Sequence, residues 1–220
     1  MKGLLGLLRR PPGLRGQGES PDSALFSTAF ADQGLASVML VPWEARANEV
    51  GARRMPAARG SKLLRLLWRQ DKDMARLASD SAAHRLERFF DFASLPAGRD
   101  IICQNEYSNF MVVLLTGTIA VDREQPTGKR LRLSQAHPGD ILGEMSLLDS
   151  GKRFSVCTSL NECEIAVLSA QALDEMMASD PALAASLMAV LARKLSRRLR
   201  VVSTRISDKK TEAALHHRLG

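Results

Sequence analysis

From Arg99 to Ser169 the chain reads as a series of short strands. RDIICQ, FMVVLLTG, TIAVDRE, KRLRLSQ, RFSVCTSL and CEIAVLS are β-branched or alternate apolar with polar residues, the pattern of strands that bury one face. Turn-forming residues punctuate them: Ala97-Gly98, Asn105-Glu106, Gly117, Gln125-Pro126-Thr127-Gly128, Pro138-Gly139-Asp140 and Asn161-Glu162. About eight short strands so spaced predict an antiparallel β-sandwich or jelly roll, a double-stranded β-helix.

Helical patterns flank the strands. SKLLRLLWRQDKDMARLA repeats apolar residues at helical spacing behind Ser61 as N-cap. DSAAHRLERFFDF predicts a second helix capped by Ser81, with Leu86, Phe89 and Phe90 on one face. Downstream, Asp180-Pro181 fits an N-cap followed by proline at the first helical position, and no breaker interrupts the helix to about Ser207 or further. The fold class is α+β: an antiparallel sandwich with flanking N-terminal helices and a long C-terminal helix. Residues 1–58 are rich in Gly, Pro, Ser and Arg without a sustained apolar period, which predicts a poorly structured tail or linker. Within it Leu35–Val41 is apolar enough to dock on something before Pro42 stops it. Residues 59–84 form a helical lead-in, 85–207 the domain and 208–220 a C-terminal tail.

The 220 residues are 45% hydrophobic and 5% aromatic, which suits a soluble protein with an aliphatic core. The formal net charge is +7. Basic residues gather towards the ends, at Arg9, Arg10, Arg15, Arg53, Arg54 and Arg59 and again at Arg193, Lys194, Arg197, Arg198 and Arg200. They either attract nucleic acid or an anionic membrane surface, or form a solvated helix face. Cys103, Cys157 and Cys163 lie in apolar stretches without a C-x-x-C pair, as expected of buried thiols in a reducing cytoplasm. The opening MKGLLGLLRRPPGL imitates a signal peptide, but Arg9-Arg10-Pro11-Pro12 ends the apolar run too early. No later stretch is long enough to span a bilayer, so a cytoplasmic location is expected. Four scattered histidines offer no metal-ligand spacing, and no Ser-His-Asp, Cys-His or Lys nucleophile arrangement stands out. The expectation is a protein that is not an enzyme and holds no metal.

GEMSLLDSGKRFSV, from Gly143 to Val156, holds the candidate site. Gly143 permits a sharp turn. Glu144 to Leu148 can form one helical turn whose free N–H groups favour an anion. Arg153 carries a planar, permanently charged fork that matches two phosphate oxygens. Glu144 can accept from a sugar hydroxyl. Because the chain folds back between them, both side chains can converge on one small ligand.

The segment GDILGEMSLLDSGKRFSVCTSL, with LPAGRDIICQNEYSNFMVVLLTGTIAV upstream, resembles the cyclic-nucleotide-binding domain of the catabolite activator, cyclic-AMP receptor protein (Crp/Fnr) family. The resemblance runs from about Arg85 to Arg205, on markers in the family's order: Pro96 and Gly98, Gly117, Gly139-Asp140, Gly143-Glu144 and Arg153. It implies that Glu144 binds the ribose hydroxyl, that Arg153 pairs with the cyclic phosphate, and that the backbone of Gly143, Met145 and Ser146 helps line the pocket. The implied ligand is a cyclic nucleotide, cAMP, cGMP or a relative, and the implied role is a signal-transducing regulator. The competing reading of the same residues is that Glu144 and Arg153 bridge each other and only fix the loop.

Two departures bear on the ligand. Phe154 stands where the family has a small hydroxyl residue, and its ring either fills the pocket or stacks on a base. Arg198 and Leu199 stand where the family's adenine-reading Thr and Ser lie; Arg198 either contacts a purine or faces solvent. The long helix repeats Leu183, Leu187, Leu191, Leu195, Leu199, Val202 and Ile206, whose second half outreaches the sandwich. The resemblance implies a homodimer through this helix. SDKKTEAALHHRLG is too short for a helix-turn-helix domain, so sequence-specific DNA binding is not expected and the output is expected to be an unknown protein partner. The alternative is a degenerate domain, used without ligand as a protein–protein interaction module.

Overall fold

The computed structural model describes residues 25–32, 40–75, 77 and 80–219 of the chain. The strand region is β3 (Asp91–Leu95), β4 (Asp100–Ile102), β5 (Tyr107–Ser108), β6 (Phe110–Thr116), β7 (Ile119–Glu124), β8 (Arg130–Ala136), β9 (Ile141–Leu142), the short helix α5 (Glu144–Asp149), β10 (Val156–Ser159) and β11 (Cys163–Ser169). Before it come α1 (Leu25–Asp32), β1 (Leu40–Val41), α2 (Trp43–Val50), β2 (Arg53–Arg54), α3 (Ala57–Gln70) and α4 (Asp80–Glu87). After it come α6 (Ala170–Ser179) and α7 (Pro181–Leu219).

Two sheets build the sandwich, one in the order β4-β10-β7-β8 and one in the order β2-β3-β11-β6-β9, with every pairing in them antiparallel. Strand β6 shows how the core divides. Its side chains alternate faces, and Phe110 to Leu115 are all buried. Phe110, Val112 and Leu114 enter the sandwich interior with Ile101, Ile119, Ile165 and Cys157. Met111, Val113 and Leu115 point the other way, into a second core formed with Leu64 and Trp68 of α3, Leu173 of α6 and Leu183, Leu187 and Leu191 of α7. A strand buried on both faces loses the polar alternation of a surface strand, which is why FMVVLLT is a continuous apolar run.

Three expectations need correction. The stretch 40–58, placed in the unstructured tail, carries β1, α2 and β2. These are too short to leave a periodic signal; β1 pairs in parallel with β5, and β2 extends the larger sheet beside β3. Residues 1–24 and 33–39 lie outside the described residues. Ser61 is not an N-cap: α3 begins at Ala57 after Pro56, and Ser61 is buried inside it. The supposed tail from residue 208 continues α7 to Leu219, consistent with the absence of Gly and Pro between 182 and 219. At the start of α7, Asp180 Oδ1 accepts from the Leu183 N–H at 3.2 Å, as an N-cap does.

The N-terminal helices are fastened by specific contacts. Asp174 of α6 accepts from the main-chain N–H groups of Phe26 and Ser27 at 2.8 and 2.7 Å and from Ser27 Oγ at 2.6 Å, capping the start of α1. Gly60 lets α3 lie directly on β3, where a Cβ would overlap the ring of Phe92. Gly60→Ala gains about 1 kcal/mol of helix propensity but loses more to overpacking, which runs to about 3 kcal/mol. The expected net loss is about 1–2 kcal/mol, a fall in Tm of roughly 2–8 °C. A thermal melt checks it, and an unchanged or higher Tm counts against so close an approach.

Candidate functional site

Gly143 joins β9 to α5 at φ 79°. That conformation favours glycine, and a Cβ there would overlap Arg153 Nη1. Arg153 is 2% exposed. Its Nε donates to Ser108 Oγ at 2.6 Å, Nη1 to the Gly143 carbonyl at 2.6 Å, and Nη2 to the Phe110 carbonyl. The guanidinium also lies 5.0 Å from the centroid of the Phe110 ring. Its backbone is locked too: the Arg153 N–H donates to the Glu106 carbonyl, and the Asn105 N–H donates to the Arg153 carbonyl, each at 2.9 Å. These three side-chain bonds use three of the five guanidinium N–H groups and leave one on each terminal nitrogen. Burial pushes the Arg153 pKa down to about 10, against the opposing pull of Glu106, Cys157 and Glu144. The group stays protonated at neutral pH, and an anion beside it would restore the solvation it lacks.

Glu144 opens α5 and is 4% exposed. It does not pair with Arg153 among the described residues. Its carboxylate accepts from Arg198 Nη1 at 2.5 Å, and Arg198 Nη2 reaches the Ile141 carbonyl at 3.5 Å. The reading in which Glu144 and Arg153 bridge each other is therefore replaced by two separate sets of contacts. Ser146 is buried and Met145 is exposed. Phe154 is 54% exposed, and the Arg123 guanidinium covers its ring at 4.1 Å while donating to its carbonyl. The ring does not fill the site.

Several contributors escape the sequence reading. Ser108 and the Phe110 carbonyl hold Arg153, and Glu106 stands behind them. Glu106 Oε1 accepts from Ser108 Oγ and the Cys103 N–H, each at 3.4 Å, and its other oxygen pairs with the buried Arg46 of α2. Burial opposes the Arg46 charge most strongly of any single cause, but Glu106, Cys103 and Glu49 together outweigh it and raise the Arg46 pKa. A polar chain thus runs from α2 to Arg153 through Glu106 and Ser108. In the sequence, Asn105-Glu106 registers only as a turn. Cys157, beneath the site, has its pKa pushed up to about 12 by burial and stays an unreactive thiol.

The helix α7 closes the other side. Lys194 pairs with Asp71, and Arg197 with Asp73, in the connection after α3. Arg193 stands 3.7 Å from Asp73. Asp71 has its pKa lowered because the bond from Lys194 and nearby amides overcome burial. Between this connection, β9 and α7 lies a cleft of about 360 Å³ that reaches Asp140, Ile141 and Arg198. Among the described residues no group of three His, Cys, Asp or Glu side chains could hold a metal ion, and no helix is long and apolar enough to cross a membrane.

Residues 92–180 match the family model described as Cyclic nucleotide-binding domain. Two solved structures share the fold. A cyclic nucleotide-binding domain from Methylobacillus flagellatus superposes with a TM-score of 0.63 at 21% identity, covering 72% of this chain and 89% of that one. The Thermus thermophilus catabolite activator protein superposes with a TM-score of 0.50 at 25% identity, covering 57% of this chain and 60% of that one. The chain thus carries a jelly-roll domain with the fold of cyclic nucleotide-binding domains. Among curated proteins it is similar to the CRP-like cAMP-activated global transcriptional regulator of Mycobacterium tuberculosis, 28% identical over 117 residues, 53% of this chain and 52% of the regulator. It is also 28% identical to the cyclic AMP receptor protein of Thermus thermophilus over 107 residues, 49% of this chain and 50% of that protein. The domain therefore resembles the sensor domain of the CRP-like regulators, and the chain spans about half the length of the curated relatives it matches.

Proposed function

We propose that this chain is a non-enzymatic regulator that binds a cyclic nucleotide at the Gly143–Phe154 loop and transmits the event through α7. The observation that carries the reading is that one short loop holds both a buried arginine, Arg153, and a buried carboxylate, Glu144, the second of them held by α7. A cyclic phosphate supplies the negative charge that Arg153's burial calls for, and a ribose hydroxyl donates to Glu144. The main chain of Gly143, Met145 and Ser146 completes the wall. Relatives named as cAMP-activated support the ligand class. Because Arg198 ties Glu144 to α7, a ligand at Glu144 shifts the balance between two positions of that helix. The outer part of α7, with Leu199 67% and Val202 45% exposed, is the surface through which the proposed homodimer or a protein partner is engaged.

One observation favours a second reading, a ligand-independent interaction module: Arg153 and Glu144 already have partners within the chain. Isothermal titration with cAMP, cGMP and cyclic di-GMP separates the two. The expected result is binding of at least one of them, weakened tenfold or more in Arg153→Lys, which keeps the charge but not the fork. Heats of dilution alone for all three would leave the interaction module as the reading.

A further inference from the structure

Ser108, Phe110 and Glu106 hold Arg153, and one segment that precedes every strand of the two large sheets touches all three. Strand β1 pairs with β5 so that Val41 lies opposite Ser108, whose Oγ accepts from Arg153 Nε at 2.6 Å. Trp43, at the start of α2, sets its ring edge-on to Phe110 at 5.5 Å, and the Phe110 carbonyl accepts from Arg153 Nη2. Arg46, three residues on, pairs with Glu106, whose carbonyl accepts the Arg153 N–H at 2.9 Å. Trp43 and Arg46 are buried, as are Ser108 and Phe110. The segment from β1 to α2 thus braces the arginine from behind, the kind of support that keeps a binding group in its working geometry.

The Arg46–Glu106 pair also balances a charge. Arg46 Nη1 bonds Glu49 at 2.7 Å as well, but that carboxylate is 64% exposed and solvated, whereas the Glu106 side chain is 17% exposed. The other bonds to the Glu106 carboxylate among the described residues come from Ser108 Oγ and the Cys103 N–H, both long at 3.4 Å. Its field reaches Arg153: burial lowers the pKa of that guanidinium, and Glu106 is the strongest of the charges that oppose the shift, ahead of Cys157 and Glu144. While Arg46 neutralises Glu106, Arg153 keeps two N–H groups for an incoming anion. Without Arg46, a poorly solvated carboxylate is left uncompensated and turns to the guanidinium it already acts on. An incoming phosphate must then compete with Glu106.

Given the cyclic-nucleotide reading above, on which the inference rests, we propose that Arg46 is a positioning residue of the phosphate site: it occupies Glu106, so that the Arg153 guanidinium stays free for the ligand's phosphate. Helix α2 acts through Arg153 and does not touch the ligand.

The test is isothermal titration of the full chain with cAMP and cGMP, in the wild type, Arg46→Met, Glu106→Gln and the double variant. Methionine keeps most of the Arg46 stem and removes the charge; circular dichroism and thermal melts check that each protein folds and record its stability. Arg46→Met is expected to bind the better of the two nucleotides about tenfold more weakly than the wild type, because the released carboxylate competes for Arg153. Adding Glu106→Gln removes that charge and keeps an acceptor for Ser108. Affinity is then expected to return to within about threefold of the wild type while the Tm stays lowered, a coupling that a purely structural α2 does not produce. Glu106→Gln alone leaves the packing of α2 in place and is expected to bind at least as tightly as the wild type; it decides the matter even where Arg46→Met does not fold. Wild-type affinity in Arg46→Met, a loss that the double variant does not recover, or weaker binding in Glu106→Gln overturns the proposal and leaves the cyclic-nucleotide reading intact. A wild type that binds neither nucleotide overturns both.

Discussion

Arg153→Ala is expected to lower the stability of the domain by about 3–5 kcal/mol, the combined cost of buried acceptors left without a donor and of the cavity left by a large buried side chain, and to abolish nucleotide binding. The change takes from Ser108 Oγ and the carbonyls of Gly143 and Phe110 the donor they share; the Gly143 carbonyl keeps the Leu147 N–H at 3.3 Å and Ser108 Oγ keeps its bond to Glu106 at 3.4 Å, and each buried acceptor left unpaired costs about 1–3 kcal/mol. It also opens a cavity beside Phe110 and Gly143. One term opposes these losses. Burial holds the Arg153 pKa down at about 10, so the folded state bears the cost of a desolvated charge, and removing the charge returns it. At roughly 2–4 °C per kcal/mol for a chain of this size, the fall in Tm is roughly 6–20 °C.

Arg153→Met separates the contributions. It fills most of the volume, relieves the desolvation and still deletes the donors. It is expected to be more stable than Arg153→Ala and equally unable to bind ligand. A buried charge replaced by a fitting apolar side chain is often neutral. Arg153→Met close to wild-type stability would therefore mean that the fold does not require the arginine, which leaves ligand recognition as the function it serves. Urea denaturation of the three proteins measures the stabilities, and a loss below about 1 kcal/mol for Arg153→Ala would contradict the three-acceptor geometry, given the cost per unpaired acceptor.

The parts of this fold that were legible are those whose residues repeat. Strands β6, β7 and β11 announce themselves by β-branched runs between turns, and α3 and the first half of α7 by apolar residues at helical spacing, because burial of one face imposes a period. The elements that were not legible are held by single contacts. Helix α2 spans only Trp43–Val50, and its hold on the site is Arg46 against Glu106, one ion pair that leaves no pattern in the sequence. Helix α1 is tied by the Asp174 carboxylate, some 150 residues away in the chain. The site divides in the same way. Glu144 and Arg153 were legible because they lie on one loop with a glycine before them. Their partners, Arg198 for one and Ser108 with the Phe110 carbonyl for the other, come from distant strands and from α7, and only the tertiary structure brings them in. Phe154 shows the limit from the other side. Its position in the sequence admits a ring turned inward or outward, and the Arg123 guanidinium on the neighbouring strand settles it outward.

Helix α3 belongs to the same core as the strands. The sequence marks residues 59–84 as a lead-in ahead of the domain, yet Trp68 is 1% exposed and packs edge-on to Phe90 at 5.9 Å, in a core shared with Met111, Val113, Leu187 and Leu191. Trp68→Ala is expected to cost about 3–5 kcal/mol, the range for deleting a large buried ring, with the aromatic pair contributing about 0.5–1.5 kcal/mol of it. Trp68→Phe is expected to cost less than about 1.5 kcal/mol. The indole Nε1 is buried without a hydrogen-bond partner among the described residues, so phenylalanine keeps an aromatic ring and sheds an unpaired donor, which offsets part of the lost volume. The form of the transition carries as much as its midpoint. A lead-in folded apart from the sandwich would melt in its own step, and Trp68→Ala would lower that step alone. Because α3 shares one core with β6 and α7, a single transition is expected in all three proteins, shifted as a whole by Trp68→Ala. Calorimetry that resolved two transitions, with only the lower one sensitive to residue 68, would separate α3 from the domain that carries the site.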